Sequence, residues 1–101
     1  MILGVGVDTV LLARVESAYS RFGDRFSKKI LSVQELSSGT VDARLLAKRF
    51  AVKEAIAKAL GTGFRGGITM PSMSIVKTEL NEPKVILSGA ALERLERLGG
   101  S

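Results

Sequence analysis

The stretch RFAVKEAIAKALGTG, residues 49–63, is the second half of the longest helical pattern in the sequence. That pattern spans residues 43–60 and follows Thr40 and Asp42, either of which suits the N-cap position. Gly61 then ends it, because glycine is the residue most often found just past the end of a helix. The sequence therefore predicts one long helix with defined ends.

The rest of the chain alternates short helical and strand patterns. The other expected elements, in chain order, are a strand at residues 2–7, a helix from residue 9 that stops at Gly23, a short helix started by the capping-box spacing of Ser32 and Glu35, hairpin strands at 73–78 and 84–88, and an amphipathic helix after Gly89. No repeat or linker divides them. The sequence predicts one α+β domain over residues 1–101, with a small antiparallel sheet packed against helices.

The composition excludes several kinds of chemistry. The 101 residues contain no cysteine and no histidine, so disulfides, thiolate nucleophiles and the commonest general base are absent. Catalysis would have to use carboxylates, lysines, hydroxyls or a hard metal ion. The apolar start lacks a basic leader and is too short to span a bilayer, so we expect a cytoplasmic protein without a membrane partner. The net charge of +5 predicts an anionic partner.

Glu54 is the only acid in the stretch quoted first. On a helical wheel it lies on the apolar side, whose members there are Ala47, Phe50 and Ala57, so we expect it to face the core. An ion pair with Lys58, four residues later, would be worth only a few tenths of a kcal/mol and explains an inward acid poorly. A partly buried carboxylate needs a cation or several donors. Glu54 is therefore a candidate ligand-binding residue.

Asp8 closes the first predicted strand and precedes a helix. It suits the N-cap position, which is the plainer interpretation, but ligands also gather where a strand ends and a helix begins. Two carboxylates together with water and phosphate oxygens are the usual ligands of Mg²⁺. If Asp8 and Glu54 meet, the site becomes a candidate for a metal-bound pyrophosphate, with Arg49, Lys53 and Lys58 as surrounding cations.

These motifs together resemble those of a known family. The segments GVGVDTVLLARV (residues 4–15) and RFAVKEAIAKALGTG (49–63) are similar to the two signature motifs of holo-acyl-carrier-protein synthases, the small bacterial 4′-phosphopantetheinyl transferases. The segment ILSVQEL, the hairpin SIVKTELNEPKVILSG and the following helix match the same family in order and spacing. The resemblance implies transfer of phosphopantetheine from coenzyme A to a serine of acyl carrier protein, with release of 3′,5′-ADP, for fatty acid synthesis.

The resemblance also implies roles for individual residues. Asp8 and Glu54 match the family's Mg²⁺ ligands, and Glu54 or a metal-bound water are both candidates for the base. Lys58 would act in catalysis and in holding the coenzyme, together with Arg49 and the turn Gly61, Thr62 and Gly63. By itself this glycine turn is a weak signal, because Gly61 is also an ordinary helix end and the turn lacks the features of a P-loop.

The partner that the resemblance implies is acidic, and the first helical region is basic. Arg14, Arg21 and Arg25 are therefore assigned to binding acyl carrier protein, although exposed cations on a helix are commonly just a solvated face. Lys28 and Lys29 stay unassigned. The family's homotrimers hold coenzyme A between subunits, so we expect a homotrimer, and a small aliphatic core without disulfides favours such an assembly.

Two alternatives to an active transferase are kept open. The chain stops at Gly99-Gly100-Ser101, where the family ordinarily continues into a further strand. The first alternative is therefore a shortened homologue, for which we expect weaker assembly, poorer coenzyme binding or no catalysis. A small basic nucleic-acid-binding domain would also account for the net charge. Aromatic residues make up only 5% of the chain and no nucleic-acid-reading motif is recognisable, so we expect no nucleic-acid partner.

Overall fold

The computed structural model describes residues 7–99. In chain order, the elements within them are the helices α1 (Thr9–Phe22), α2 (Asp24–Ile30), α3 (Val33–Ser37) and α4 (Ala43–Ala59), a 3₁₀ turn (Met70–Ser72), the strands β1 (Met73–Lys77) and β2 (Pro83–Leu87), and the helix α5 (Gly89–Arg97). Helices packed with a small antiparallel sheet confirm the α+β expectation. The strand predicted at residues 2–7 falls outside the described residues, apart from Val7.

The helix starts follow the predicted caps. Asp42 accepts the backbone N–H of Leu45 at 2.8 Å and starts α4, whereas Thr40 takes no part in the cap. Ser32 and Glu35 form the predicted capping box at the start of α3. At Gly23, which has φ of +54°, the chain turns from α1 directly into α2, a helix that the sequence pattern did not reveal.

The sheet is a two-stranded hairpin within the described residues. β1 and β2 pair antiparallel, with Met73 opposite Leu87 and Lys77 opposite Pro83. Met73 and Ile75 of β1 are buried, while the exposed residues of β2 include Lys84 and Ile86. The predicted hairpin is confirmed to within one residue at each strand end. Its inner face packs against α4 and α5.

α4 belongs to both hydrophobic clusters of the molecule. Its first half contributes Leu46 and Ala47 to a cluster with α1 and α2. Its second half contributes Ile56 and Ala57 to a cluster with the hairpin and α5. Between them, at the point where the two clusters meet along the helix, lies a buried lysine, Lys53. The long helix predicted first is therefore the element that joins the two parts of the core.

Candidate functional site

Asp8 is the N-cap of α1, as the plainer interpretation predicted. Its Oδ1 accepts the backbone N–H of Val10 at 2.7 Å, and the residue is exposed. A cap uses one lone pair of a carboxylate that has about four acceptor sites. Capping therefore leaves most of the Asp8 carboxylate available to a ligand.

Glu54 is exposed, so the expectation that it faces the core is wrong. The position that points into the protein is its neighbour Lys53, which is 0% exposed and lies about 100° away around the helix. Phe50, one turn before Glu54, is only half-buried. Glu54 therefore stands at the margin of the apolar face, where α4 meets α1, and not within it.

An open groove lies between α1 and α4. The cavity has a volume of about 450 Å³, and its lining residues are Leu11, Arg14, Val15, Ala18, Phe26, Phe50 and Glu54. Asp8 precedes Leu11 by three residues, so it lies at the end of α1 that borders this groove. The structure thus places Glu54 in the groove wall and Asp8 at the start of the helix that forms the opposite wall.

These two carboxylates have the donor chemistry that a magnesium ion requires. Residues 7–99 contain no group of three or more acidic side chains that could enclose a metal. Both salt bridges in that part of the chain are made by Glu35, which leaves Asp8 and Glu54 without a cationic partner there. Mg²⁺ commonly takes one or two carboxylates and fills its other positions with water and substrate phosphates. An exposed pair of carboxylates fits that description.

Glu35 is a second, buried carboxylate that the sequence interpretation treated only as part of a cap. Its Oε1 accepts hydrogen bonds from the backbone N–H of Ser32 at 2.9 Å and from Lys53 Nζ at 2.5 Å. Its Oε2 accepts the backbone N–H of Ile75 at 3.3 Å and lies 3.5 Å from Arg49 Nε. One side chain thereby connects α3, α4 and β1.

Lys53 completes this buried arrangement. Its Nζ also donates to the carbonyl of Ile30 at the end of α2, at 2.6 Å. Burial lowers the pKa of Lys53 from its ordinary value of 10.5, and the hydrogen bond and charge of Glu35 oppose that shift. The one signal in the sequence was the spacing of Arg49 and Lys53, two cations one turn apart, because like charges at that spacing repel each other unless an acid lies nearby.

The three cations expected around Glu54 are therefore divided between two sides of α4. Lys53 is fully engaged with Glu35, so its place near Glu54 is wrong. Arg49 contacts Glu35 and keeps 22% of its side chain exposed. Lys58 is exposed and lies one turn after Glu54, on nearly the same face. Of the three, Lys58 is the cation placed to act beside Glu54, and the coenzyme role of Arg49 stays a prediction.

The glycine turn after α4 is already hydrogen-bonded to its own helix. The amide of Gly61 donates to the carbonyl of Lys58 at 2.9 Å, and the amide of Gly63 donates to the carbonyl of Ala57 at 3.1 Å. Both glycines have positive φ, +78° at Gly61 and +61° at Gly63. The Thr62 hydroxyl donates to the carbonyl of Gly63 at 2.9 Å. These two amides therefore satisfy the end of α4 and do not point to a ligand. If the turn contacts a phosphate, it would do so because its glycines allow close approach and because cations lie nearby.

The arginines assigned to a partner are exposed on α1 and α2. Arg14 lines the groove beside Glu54, and Arg21 lies over the Phe22 ring at 5.3 Å from its centroid. Arg25 lines a smaller cavity next to that ring. Phe22 itself is 51% exposed. A basic surface with an exposed aromatic ring thus adjoins the groove, which suits an acidic protein.

The described helices also bear on a membrane role. No helix between residues 7 and 99 combines the length and the apolar character that a bilayer span requires.

Comparison with known proteins agrees with the sequence motifs. Residues 4–100 match the model of the 4′-phosphopantetheinyl transferase superfamily. A holo-[acyl-carrier-protein] synthase of Desulfovibrio desulfuricans is 48% identical over 100 residues, which cover 98% of this chain and 81% of the relative. The enzyme of the same name from Escherichia coli is 45% identical over 101 residues, with 97% and 80% covered.

Solved structures give the same result for the fold. The crystal structure of holo-[acyl-carrier-protein] synthase from Neisseria meningitidis superimposes with a TM-score of 0.76 at 40% identity, covering all of this chain and 83% of the other. The holo-acyl-carrier-protein synthase from Plasmodium yoelii gives 0.75 at 28% identity, covering 98% and 78%. A P. yoelii structure in this group has ADP bound.

Proposed function

Because the chain belongs to the 4′-phosphopantetheinyl transferase superfamily, we propose that it transfers the 4′-phosphopantetheine group of coenzyme A to a serine of apo acyl carrier protein. The observation that carries this proposal is the similarity to holo-acyl-carrier-protein synthases along 98% of the chain. The products are holo carrier protein and 3′,5′-ADP, and the modified carrier serves fatty acid synthesis.

The groove between α1 and α4 is the proposed site of transfer. Asp8 and Glu54 would hold Mg²⁺, which when bound neutralises negative charge on the pyrophosphate of coenzyme A. Lys58 stands one turn from Glu54 and supplies a further positive charge without any acid to neutralise it in residues 7–99. Arg49 and the turn Gly61, Thr62 and Gly63 would hold the coenzyme beyond this pair.

The reaction is a displacement at phosphorus. The serine hydroxyl oxygen of the carrier forms a bond to the phosphorus that bears pantetheine, and the bond from that phosphorus to the oxygen of 3′,5′-ADP breaks. The serine proton must leave as the new bond forms. Glu54 is exposed in the groove wall, so it is a candidate acceptor of that proton, and a metal-bound water is the other candidate. Positioning and charge neutralisation supply most of the catalysis in such transfers.

The carrier protein would dock beside the same groove. Arg14, Arg21 and Arg25 are exposed there and complement an acidic partner. Arg14 also lines the groove itself, so a carrier held by these arginines would have its serine near Glu54. Charge complementarity of this kind mainly speeds encounter and fixes orientation.

We also propose that the chain works as a cytoplasmic homotrimer with coenzyme A between subunits. A single small domain with two modest hydrophobic clusters gains stability by sharing apolar surface. Residues such as Leu80, which is 79% exposed, and Val33, which is 84% exposed, provide apolar area for such contacts. Light scattering on the 101-residue chain tests this, and a stable, fully active monomer would contradict a site shared between subunits.

The decisive experiment is direct observation of transfer. Apo acyl carrier protein is incubated with the chain, coenzyme A and Mg²⁺, and its mass is measured. We expect an increase of one phosphopantetheine group, which is lost when the target serine is replaced by alanine. No increase under these conditions, with coenzyme A still bound, would indicate a non-catalytic homologue.

A further inference from the structure

The C-terminal end of α2 is anchored by a side chain of α4. Lys53 is 0% exposed, and its Nζ donates to the carbonyl of Ile30 at 2.6 Å. Ile30 is the last residue of α2, so its carbonyl is one of those that receive no hydrogen bond within the helix. A positive charge at this end of a helix is also favourable for the helix dipole. One ammonium group thus fixes where α2 ends against α4.

α2 has few other means of support. It has only seven residues, and isolated helices shorter than about 12 residues are marginal in water. Its N-cap is Gly23, which makes no side-chain hydrogen bond to the start of the helix. Ser27 and Ile30 are buried, whereas most of its other residues are exposed. The position of α2 is therefore set by the packing of one narrow face and by the Lys53 contact.

The same helix borders the proposed site of transfer. Phe26 lies one turn before Ile30, so the two side chains share one face of α2. Phe26 lines the α1–α4 groove together with Glu54. Arg25, which is assigned to the carrier protein, directly precedes Phe26, and Lys53 directly precedes Glu54. The contact between Lys53 and Ile30 therefore joins a helix of the docking surface to the part of α4 that bears the groove carboxylate.

Stability alone does not explain a charged residue at this position. The Lys53–Glu35 pair is buried, and well-packed apolar side chains of similar size are often as stable as such a pair or more so. Apolar packing, however, tolerates small shifts between elements. The hydrogen bonds of Lys53 to the Ile30 carbonyl and to Glu35 are directional, so they define the distance and angle at which α2 meets α4.

We propose that Lys53 is a positioning residue for the transfer reaction and acts through α2. By fixing the end of α2, it holds Arg25 and Phe26 in place relative to Glu54, so that a carrier protein docked on α2 presents its serine at the groove. A misplacement of about 1 Å can cost roughly a hundredfold in rate. The reaction named here rests on the proposed function, but the anchoring of α2 is measurable without turnover.

The principal variant is Lys53→Met, which keeps a side chain of similar length and removes the donor. We expect kcat/KM for acyl carrier protein to fall about tenfold or more, because the docked serine is misplaced. The KM for coenzyme A should change little, since the contact between Glu35 and Arg49 is kept. Ile56→Val is the matched control. It removes a buried methyl group from the other half of α4, so it should lower stability without changing kcat/KM.

A second variant separates positioning from stability. Glu35→Leu/Lys53→Met removes both buried charges, so it should be more stable than Lys53→Met. It still lacks the bond to Ile30, and we expect its kcat/KM for the carrier to stay about tenfold or more below that of wild type. A purely structural role for Lys53 would instead restore transfer together with stability.

Hydrogen exchange tests the anchor apart from catalysis. In both variants the Leu31 amide, which donates to the Ser27 carbonyl at 2.8 Å, should exchange about tenfold faster, while the amides of α5 keep their rates. Unchanged exchange at Leu31, wild-type kcat/KM in Lys53→Met or full transfer by the double variant would each overturn the proposal. Failure of the wild-type protein to transfer contradicts the proposed function instead, and the exchange measurement still decides whether Lys53 anchors α2.

Discussion

Glu35 of α3 and Glu54 of α4 are two glutamates on opposite sides of α4, one buried and the other exposed. Glu35 is 6% exposed, and its two oxygens receive two backbone amides, the Lys53 ammonium and a contact from Arg49. Glu54 is exposed, and its carboxylate makes no salt bridge within residues 7–99. A carboxylate with every lone pair engaged holds helices together, whereas one without partners is available to a substrate or a metal.

The comparison also separates two uses of charge. The Glu35–Lys53 pair lies where the two hydrophobic clusters of α4 meet, so it fixes how α2, α3 and β1 pack on that helix. The rotation of α4 about its axis in turn decides which residues border α1. By holding Lys53 inside, the buried pair leaves Glu54 at the groove.

The largest effect is expected at the exposed carboxylates. Glu54→Gln should reduce transfer roughly a thousandfold, because this residue would help to hold the Mg²⁺ that neutralises charge on the pyrophosphate, an effect worth several kcal/mol in such sites. Its free energy of unfolding should change by less than about 0.5 kcal/mol, as is usual at exposed positions. Steady-state kinetics and urea unfolding measure the two.

Asp8→Asn is the companion variant for that prediction. Asparagine caps a helix as well as aspartate does, so α1 should be kept while activity is lost. Near-normal turnover of either variant at low Mg²⁺ would show that the two residues do not share a metal site.

The buried carboxylate should behave in the opposite way. Glu35→Ala leaves the Lys53 charge buried without compensation, which should cost about 3–5 kcal/mol of unfolding free energy. Urea denaturation gives this value, and the double variant Glu35→Leu/Lys53→Met should recover much of the loss because it removes both charges. If Glu35→Ala is as stable as wild type, the buried pair does not organise the fold.

The basic surface of α1 should affect recognition of the carrier. Arg21→Glu should raise the KM for acyl carrier protein about tenfold and hardly change that for coenzyme A, since surface charge governs encounter with an acidic partner. Arg44→Glu makes the same charge change on α4 and should have a smaller effect. If the KM for acyl carrier protein depends neither on ionic strength nor on the charge at position 21, this face is not the docking surface.

The smallest effect concerns the pKa of Lys53. Because burial lowers that pKa in the folded protein, the unfolded chain binds the proton more tightly between the folded-state pKa and 10.5. Across that window the stability of wild type should therefore rise with pH relative to Lys53→Met. Below it, the cost of burying the charge is constant. Unfolding of both proteins at several alkaline pH values checks the sign, and a fall would contradict it.

The sequence predicted those parts of the fold that depend on local patterns. The ends of α4, the capping box of α3 and the hairpin follow from caps, glycines and alternation within a few residues. α2 was missed because Gly23 was interpreted only as the end of α1, although it also starts the next helix.

The site was predicted only in part, because local patterns show some of its residues but not the long-range contacts that orient them. Motif spacing marked Asp8 and Glu54 as special, but a helical wheel could not decide which neighbour enters the core. The contact that decides it joins Lys53 to Glu35, 18 residues earlier in the chain. No local pattern contains that contact, because it forms only when α3 packs on α4.

Tyr19 gives this protein a spectroscopic property of its own. It is the only tyrosine in a chain without tryptophan, and it is half-buried where α1 packs on α4, with its hydroxyl 3.5 Å from the Val41 carbonyl. Tyrosine fluorescence of the unlabelled protein therefore comes from one place on α1, next to the groove residue Ala18. A change in this fluorescence would report separation of α1 from α4 independently of unfolding of the hairpin and α5.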